Sequence, residues 1–197
     1  MEWYEEEVQR VEKEVLNIPY EPATIFYGSS SITLWGKLDE DFEDLKPVNL
    51  GFGGSTLAAC VWFFDRIVAR INTAQTIIIY AGDNDLGDGR HPEEACIFYR
   101  QLINQIRSRF GNIPCYFISI KPSIQRWGII DKIIATNRMI QAEVEKDDFQ
   151  HYIDIFPLML NEQGSPDATL FETDGLHLSS LGYAVWQKKI REELGIE

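Results

Sequence analysis

The stretch that decides the expected fold is TIFYGSSSI, residues 24–32. Its first four residues are β-branched or aromatic, which favours a strand, and Gly28 marks the end of that strand. Three serines follow at once. Open α/β sheets bind their ligands beyond the carboxyl ends of the strands, so hydroxyls at this place are candidates for chemistry. A serine-rich turn can equally cap a helix, and later stretches decide between the two interpretations.

Strand and helix patterns alternate along the rest of the chain. Strands are predicted over residues 23–27, 47–50, 76–80, 114–120 and 151–155. Helices are predicted over residues 2–16, 37–45, 92–110, 128–146 and 180–194, with one more that Ser55 or Thr56 caps and that reaches about residue 70. A polar loop is expected from residue 81 to His91. A second loop is expected over 157–173, and its unusual length makes it a candidate for a functional role. This alternation predicts a single three-layer αβα domain over residues 1–197, with a five-stranded parallel sheet in the flavodoxin-like order 2-1-3-4-5.

The amino-acid composition argues against nucleic acid as a binding partner and against a membrane-spanning segment. The 197 residues carry a net charge of −13, which disfavours nucleic acid because that partner requires a basic surface. The apolar runs are too short for an integral membrane segment, and the acidic amino terminus shows no secretory leader, so a cytoplasmic location is expected. Three cysteines, Cys60, Cys96 and Cys115, lie in apolar surroundings that suit reduced core residues. The oligomeric state does not follow from the sequence.

Four polar or glycine positions from distant stretches converge at one edge of the predicted sheet. Ser30, Gly54 and Asn84 follow the first three strands, and His177 lies in the long loop after the fifth. The carboxyl ends of parallel strands share one edge, and strands one and three flank the expected ligand crevice. The sequence therefore predicts that these residues meet there.

This set of residue types suits acyl transfer. A serine hydroxyl is a weak nucleophile until a neighbouring imidazole takes its proton, and His177 is the candidate base for Ser30. Asp174, three residues earlier, is placed to orient the imidazole and fix its tautomer. The N–H groups of Ser30 and Gly54 and the amide of Asn84 are candidate donors to an oxyanion.

Two other motifs are weaker matches to ligand sites. Residues 51–56 follow the second strand and place threonine where a dinucleotide fingerprint has its third glycine. Residues 83–89 resemble a calcium loop, but the glycine comes one place early and a strand precedes it. No metal or organic cofactor is therefore expected. His91 and His151 have no comparable carboxylate spacing and are interpreted as structural.

Four blocks of the chain resemble those of the SGNH hydrolase family, the GDSL-type esterases and lipases. They are residues 28–30, 49–54, 82–85 and 174–177, and they occur in the family's order. Platelet-activating-factor acetylhydrolase-like and carbohydrate-acetylesterase-like members are the most similar. The resemblance implies that Ser30 is the nucleophile, that Gly54 and Asn84 are oxyanion donors, and that Asp174 and His177 complete the triad.

One position departs from the family pattern. Where the family has the sequence Gly-Asp-Ser, this chain has Gly28-Ser29-Ser30. Ser29 therefore replaces an aspartate that would provide an acidic hydrogen-bond acceptor beside the nucleophile. Alignment through Ile32 selects Ser30, with Ser31 as the alternative nucleophile. The expected consequence is a change in rate or substrate preference rather than in reaction class.

The expected function is that of a carboxylic ester hydrolase that removes short acyl groups, acetyl above all, from a small-molecule ester through an acyl-enzyme. Acyl-thioester or lysophospholipid hydrolysis by the same residues is an alternative. A catalytically silent carbohydrate- or lipid-binding domain is the alternative from another class.

Overall fold

A sheet of five parallel strands lies at the centre of the protein, in a computed structural model that describes residues 1–196. The strands are β1 Thr24–Gly28, β2 Pro47–Gly51, β3 Thr76–Tyr80, β4 Cys115–Ile118 and β5 Gln150–Ile153. Their order across the sheet is β2-β1-β3-β4-β5. The predicted parallel sheet and its strand order are confirmed.

Helices cover both faces of this sheet. They are α1 Glu5–Leu16, α2 Ser30–Thr33, α3 Leu38–Asp41, α4 Leu57–Ile67, α5 Asp83–Gly87, α6 Pro92–Phe110, α7 Ile130–Val144 and α8 Ser180–Leu194. Side chains alternate across β1, so Ile25 and Tyr27 join the core beneath α1, α4, α6 and α7, whereas Phe26 joins Trp186 of α8 on the other face. Among residues 1–196, no helix is both long and apolar enough to cross a membrane.

The structure differs from expectation in its short helices. Residues 83–87, expected in a polar loop, form α5, and the serine turn itself winds into α2. The acidic segment 37–45 is not one helix but α3 followed by a 3-10 turn at Glu43–Leu45. Helices of four or five residues are too short to show a periodic apolar pattern, and their stability comes from tertiary packing.

Strand register aligns the loops that leave β1, β2 and β3. Gly28, the last residue of β1, pairs with Gly51 at the end of β2 and with Tyr80 at the end of β3. The three loops therefore begin at the same level of the sheet, so their first residues are neighbours.

Gly28 is required at this junction for two reasons. Its φ is +146°, a conformation that side chains with a Cβ rarely adopt. A Cβ added to it would lie 1.9 Å from the carbonyl oxygen of Tyr80, well inside van der Waals contact. The same carbonyl accepts a 2.9 Å hydrogen bond from the N–H of Ser29, which starts the serine turn.

We expect Gly28→Ala to lower the free energy of unfolding by about 3 kcal/mol or more, because strain and overlap act together. Denaturant unfolding measures this change. Gly128→Ala is the matched control, since a Cβ there meets no atom within 4 Å. Equal stability of the two variants would contradict the steric argument.

Candidate active site

The structure brings Ser30, His177 and Asp174 into one hydrogen-bonded chain. Ser30 Oγ lies 3.2 Å from His177 Nε2, and Asp174 Oδ2 lies 2.5 Å from His177 Nδ1. Ser30 is the first residue of α2, whereas the other two residues lie in the turn that precedes α8. This geometry fits a nucleophile, a base and an orienting carboxylate.

Asp174 is held as a carboxylate by the turn around it. Its Oδ1 accepts hydrogen bonds from the N–H groups of Leu176 at 2.9 Å and His177 at 3.0 Å. The donation from Leu176, assisted by His177, lowers the pKa of Asp174 to about 2. A charged carboxylate on Nδ1 favours the tautomer whose Nε2 is free to accept a proton from Ser30.

Ser31 is oriented away from the histidine. Its side chain is fully buried, and its Oγ accepts a 3.1 Å hydrogen bond from Lys121 Nζ. Of the two neighbouring serines that the sequence left as alternatives, the structure places Ser30 and not Ser31 against His177.

A buried charged cluster lies beneath the serine turn. Lys121, only 1% exposed, donates to Asp83 Oδ2 at 2.9 Å and to the Tyr80 hydroxyl at 3.0 Å, as well as to Ser31. Burial alone would raise the pKa of Asp83, but the Lys121 ammonium outweighs burial and the pKa lies below its ordinary value. The cluster therefore holds a charged pair between the ends of β1, β3 and β4.

Sequence reasoning missed Lys121. The available signal was its position: it follows β4 closely and so lies at the sheet edge that carries the other site residues. A lysine after a buried strand is usually a solvated surface residue, and the pattern alone does not reveal burial.

Asn84 and Gly54 lie in the segments that follow β3 and β2, at the sheet edge that also carries Ser30. Asn84 Nδ2 donates a 3.1 Å hydrogen bond to the carbonyl of Ser55, which ties the loop after β3 to the loop after β2. Gly54 has a φ of +70°, a conformation that favours glycine. Within residues 1–196 no acceptor faces its N–H. The Ser30 N–H, at the start of α2, has no acceptor within its helix.

The buried side chain of Asp85 holds α5 against the start of α4. Its Oδ2 accepts a 2.7 Å hydrogen bond from the Leu57 N–H at the start of α4. Burial raises the pKa of Asp85 to about 6, partly offset by that hydrogen bond and by Arg90. The helix that carries Asn84 is thus fixed to α4 by a buried side chain.

Ser29 occupies the position of the family aspartate, and its backbone hydrogen bonds maintain the serine turn after β1. Its N–H donates to Tyr80 and its carbonyl accepts from Ile32 and Thr33. Its buried Oγ has no hydrogen-bond partner among the described residues. The backbone, rather than this side chain, therefore holds the turn.

The other two histidines make contacts of a different kind. His91 precedes α6, and its N–H donates to Glu94 at 2.8 Å. His151, in β5, stacks on Tyr116 with ring centroids 4.5 Å apart. Neither is hydrogen-bonded to Ser30.

A pocket of about 590 Å³ adjoins His177. Its lining combines aromatic and apolar side chains with charged and amide groups. These residues are Leu34, Trp35, Gly36, Lys37, Asp41, Glu172, His177, Leu178, Ser180, Tyr183, Ala184 and Gln187. The pocket could receive a substrate portion that has both polar and apolar surface.

Residues 27–185 match the model of the GDSL-like Lipase/Acylhydrolase family. One curated relative, the N-acylneuraminate cytidylyltransferase of Escherichia coli O18:K1:H7 (strain RS218 / NMEC), is 25% identical over 177 residues, or 85% of this chain. The chain spans only 41% of that relative's length.

Solved structures share the fold. A protein from Streptococcus pneumonia, named provisionally after platelet activating factor, superposes with a TM-score of 0.85 at 21% identity, over 98% of this chain and 95% of its own. An acetyl-xylooligosaccharide esterase from Geobacillus Stearmophilus superposes with a TM-score of 0.70 at 13% identity, over 90% of this chain and 97% of its own. At sequence identities this low, the structural similarity shows that these proteins share a fold with this chain, not that they share a substrate.

We expect a fluorophosphonate probe to label the protein once, on Ser30, because only a serine beside a base reacts quickly. Ser30→Ala should abolish labelling. Ser31→Ala is the matched control and should still be labelled on Ser30. Peptide mapping by mass spectrometry locates the adduct, and an adduct on Ser31 would contradict the assignment.

Proposed function

The chain belongs to the GDSL-like lipase/acylhydrolase family, and we propose that it is a carboxylic ester hydrolase that removes short acyl groups, acetyl above all, through an acyl-enzyme on Ser30. The observation that carries the proposal is the contact of Ser30 Oγ with His177 Nε2 at 3.2 Å, with Asp174 on the far ring nitrogen. Each member of the proposed triad touches the next.

In the first half of the reaction, Ser30 Oγ attacks the carbonyl carbon while His177 Nε2 takes the hydroxyl proton. The resulting imidazolium is stabilised by the Asp174 carboxylate. The tetrahedral intermediate then collapses, the bond from carbon to the alcohol oxygen breaks, and His177 returns the proton to that oxygen. The alcohol leaves and the acyl group remains on Ser30.

In the second half, water replaces the alcohol. His177 takes a proton from the water as its oxygen attacks the acyl carbon. The intermediate collapses, the bond to Ser30 Oγ breaks, and the proton passes to that oxygen. A free carboxylic acid and the original serine result, without any metal or organic cofactor.

The developing negative charge on the carbonyl oxygen needs fixed donors. The Ser30 and Gly54 N–H groups and Asn84 Nδ2 are assigned this role. Their segments leave the same edge of the sheet, and among residues 1–196 no backbone acceptor is hydrogen-bonded to the two backbone donors. Asn84 is already oriented by its hydrogen bond to Ser55, so little reorganisation is required in the transition state.

The pocket beside His177 supports a polar alcohol portion. His177 protonates the leaving oxygen, so the alcohol lies next to it, and the pocket lining includes Lys37, Asp41 and Gln187 along with Trp35. The acetyl preference follows the family resemblance and the acetyl esterase that shares the fold.

We expect p-nitrophenyl acetate and propionate to be hydrolysed with kcat/KM at least about tenfold above longer-chain esters such as the octanoate. A tenfold difference needs only about 1.4 kcal/mol of lost complementarity. Steady-state kinetics over a series of chain lengths measures this preference. Ser30→Ala is the control and should show no turnover. Absence of turnover in the wild-type protein would contradict an enzymatic role, and a preference for long chains would contradict the acyl assignment.

Asn84→Ala should lower kcat by about 10²–10³ with little change in KM, because the lost donor acts on the charge of the transition state. Asn72→Ala, which removes an exposed asparagine, is the matched control and should leave both constants unchanged. Circular dichroism checks that both variants fold. Wild-type kcat in the folded Asn84→Ala protein would remove this residue from the oxyanion site.

A further inference from the structure

Arg126 is a cation without a partner. In residues 1–196, no side-chain or backbone acceptor is hydrogen-bonded to its guanidinium, and no carboxylate oxygen lies within 4.0 Å of it. Its Nε is buried and unsatisfied. Of the other arginines, Arg138 is exposed, and Arg90 has a buried Nη1 without a hydrogen bond but forms a 3.7 Å ion pair with Asp85. The rest donate to carboxylates or carbonyls.

This situation is unusual in a molecule with a net charge of −13. Acidic side chains are abundant, so an arginine on the surface readily finds one. A half-buried guanidinium without an acceptor bears an unfavourable desolvation cost, and such groups in native proteins require an explanation. A carboxylate or another oxyanion on a ligand would satisfy such a group.

The position of the guanidinium is set by Gly87, the last residue of α5. A Cβ added to Gly87 would lie 2.4 Å from the guanidinium carbon and 2.6 Å from both of its terminal nitrogens. The guanidinium therefore lies against the bare backbone of this glycine. Asn84 and Gly87 are three residues apart in the same helix and so share a face. Arg126 is thus about one helical turn from the proposed oxyanion donor.

The segment that carries Arg126 also contacts the turn of the proposed base. The Gln125 N–H donates a 3.0 Å hydrogen bond to the carbonyl of Gly175, which follows Asp174. Ile124, beside it, packs on the same glycine. The residue therefore lies between the helix of Asn84 and the turn of His177.

The nearest negative charge acts on this cation only at a distance: the Arg126 guanidinium helps to lower the pKa of Asp83, but the two groups are not hydrogen-bonded. Asp83 is buried and paired with Lys121, and Asp174 is hydrogen-bonded to His177. The fork of the guanidinium matches a carboxylate or another planar or tetrahedral oxyanion. Since the protein as a whole repels anions, an anionic substrate would depend on such a local cation.

We infer that Arg126 binds an anionic group of the substrate, so that the natural ester carries a carboxylate, phosphate or sulfate on its alcohol portion. The inference rests on the proposed function for the placement of the ester at Ser30. The charge is assigned to the alcohol because an acetyl group carries none. Arg126 is not among the residues that line the pocket beside His177, so the anionic group of the alcohol extends beyond that pocket.

The test compares esters that differ only in charge. The probes are 3- and 4-acetoxybenzoate and the corresponding acetoxybenzamides, and the measured quantity is the ratio of kcat/KM for each acid to that for its amide. Arg126→Gln should lower this ratio by about 10- to 100-fold, mainly through KM, as expected for the loss of charge-assisted hydrogen bonds. Arg126→Lys should recover part of the ratio, because it keeps the charge and loses the fork.

Arg138→Gln is the matched control, since it removes the same charge from an exposed helical site. Its ratio should stay within about twofold of wild type, because only screened long-range charge is lost. If Arg126→Gln changes the ratio of both acid–amide pairs no more than Arg138→Gln does, the inference is wrong.

A binding experiment separates this inference from the proposed function. Calorimetry of 3- and 4-hydroxybenzoate binding to Ser30→Ala, with and without Arg126→Gln, needs no turnover. Weaker binding of the anion in the double variant supports the assignment even if the wild-type protein hydrolyses no ester. Equal affinities would overturn it, whatever the outcome of the kinetic assays.

Discussion

The ion pair between Lys121 and Asp83 is the interaction on which the geometry of the site depends. Both side chains are buried at the carboxyl edge of the sheet, where an unpaired charge is costly. Removing one partner of such a pair typically costs about 3–5 kcal/mol. The ammonium also binds Ser31 and Tyr80, so one buried group fixes the chain after β1, β3 and β4 relative to each other.

Backbone contacts tighten the same edge. Gly28 allows the turn after β1 to approach the carbonyl of Tyr80 far more closely than a residue with a Cβ could. Asp85 holds the helix of Asn84 against the start of α4. These contacts are buried and polar, and such networks, when satisfied, favour a single arrangement. A preorganised set of donors is what transition-state stabilisation requires.

The two halves of the triad lie in different environments. The serine turn is packed over the buried cluster, whereas the side chains of His177 and Asp174 are 31% and 48% exposed. Their turn is held by its own hydrogen bonds and by a bridge between Phe171 and Leu178. The imidazole thus sits where solvent water can reach it, as the second half of acyl transfer demands.

The sequence by itself determined the strand order and the group of residues at the sheet edge, because alternating patterns specify a parallel sheet and parallel strands share their carboxyl edge. It selected Ser30 but left Ser31 as an alternative, since neighbouring residues in a turn differ only in the direction of their side chains. For Ser31 that direction depends on Lys121, 90 positions away. The short helices α2 and α5 likewise depend on tertiary packing rather than on local periodicity. The burial of Lys121 and the unpaired state of Arg126 arise from contacts between distant segments, which no local pattern encodes.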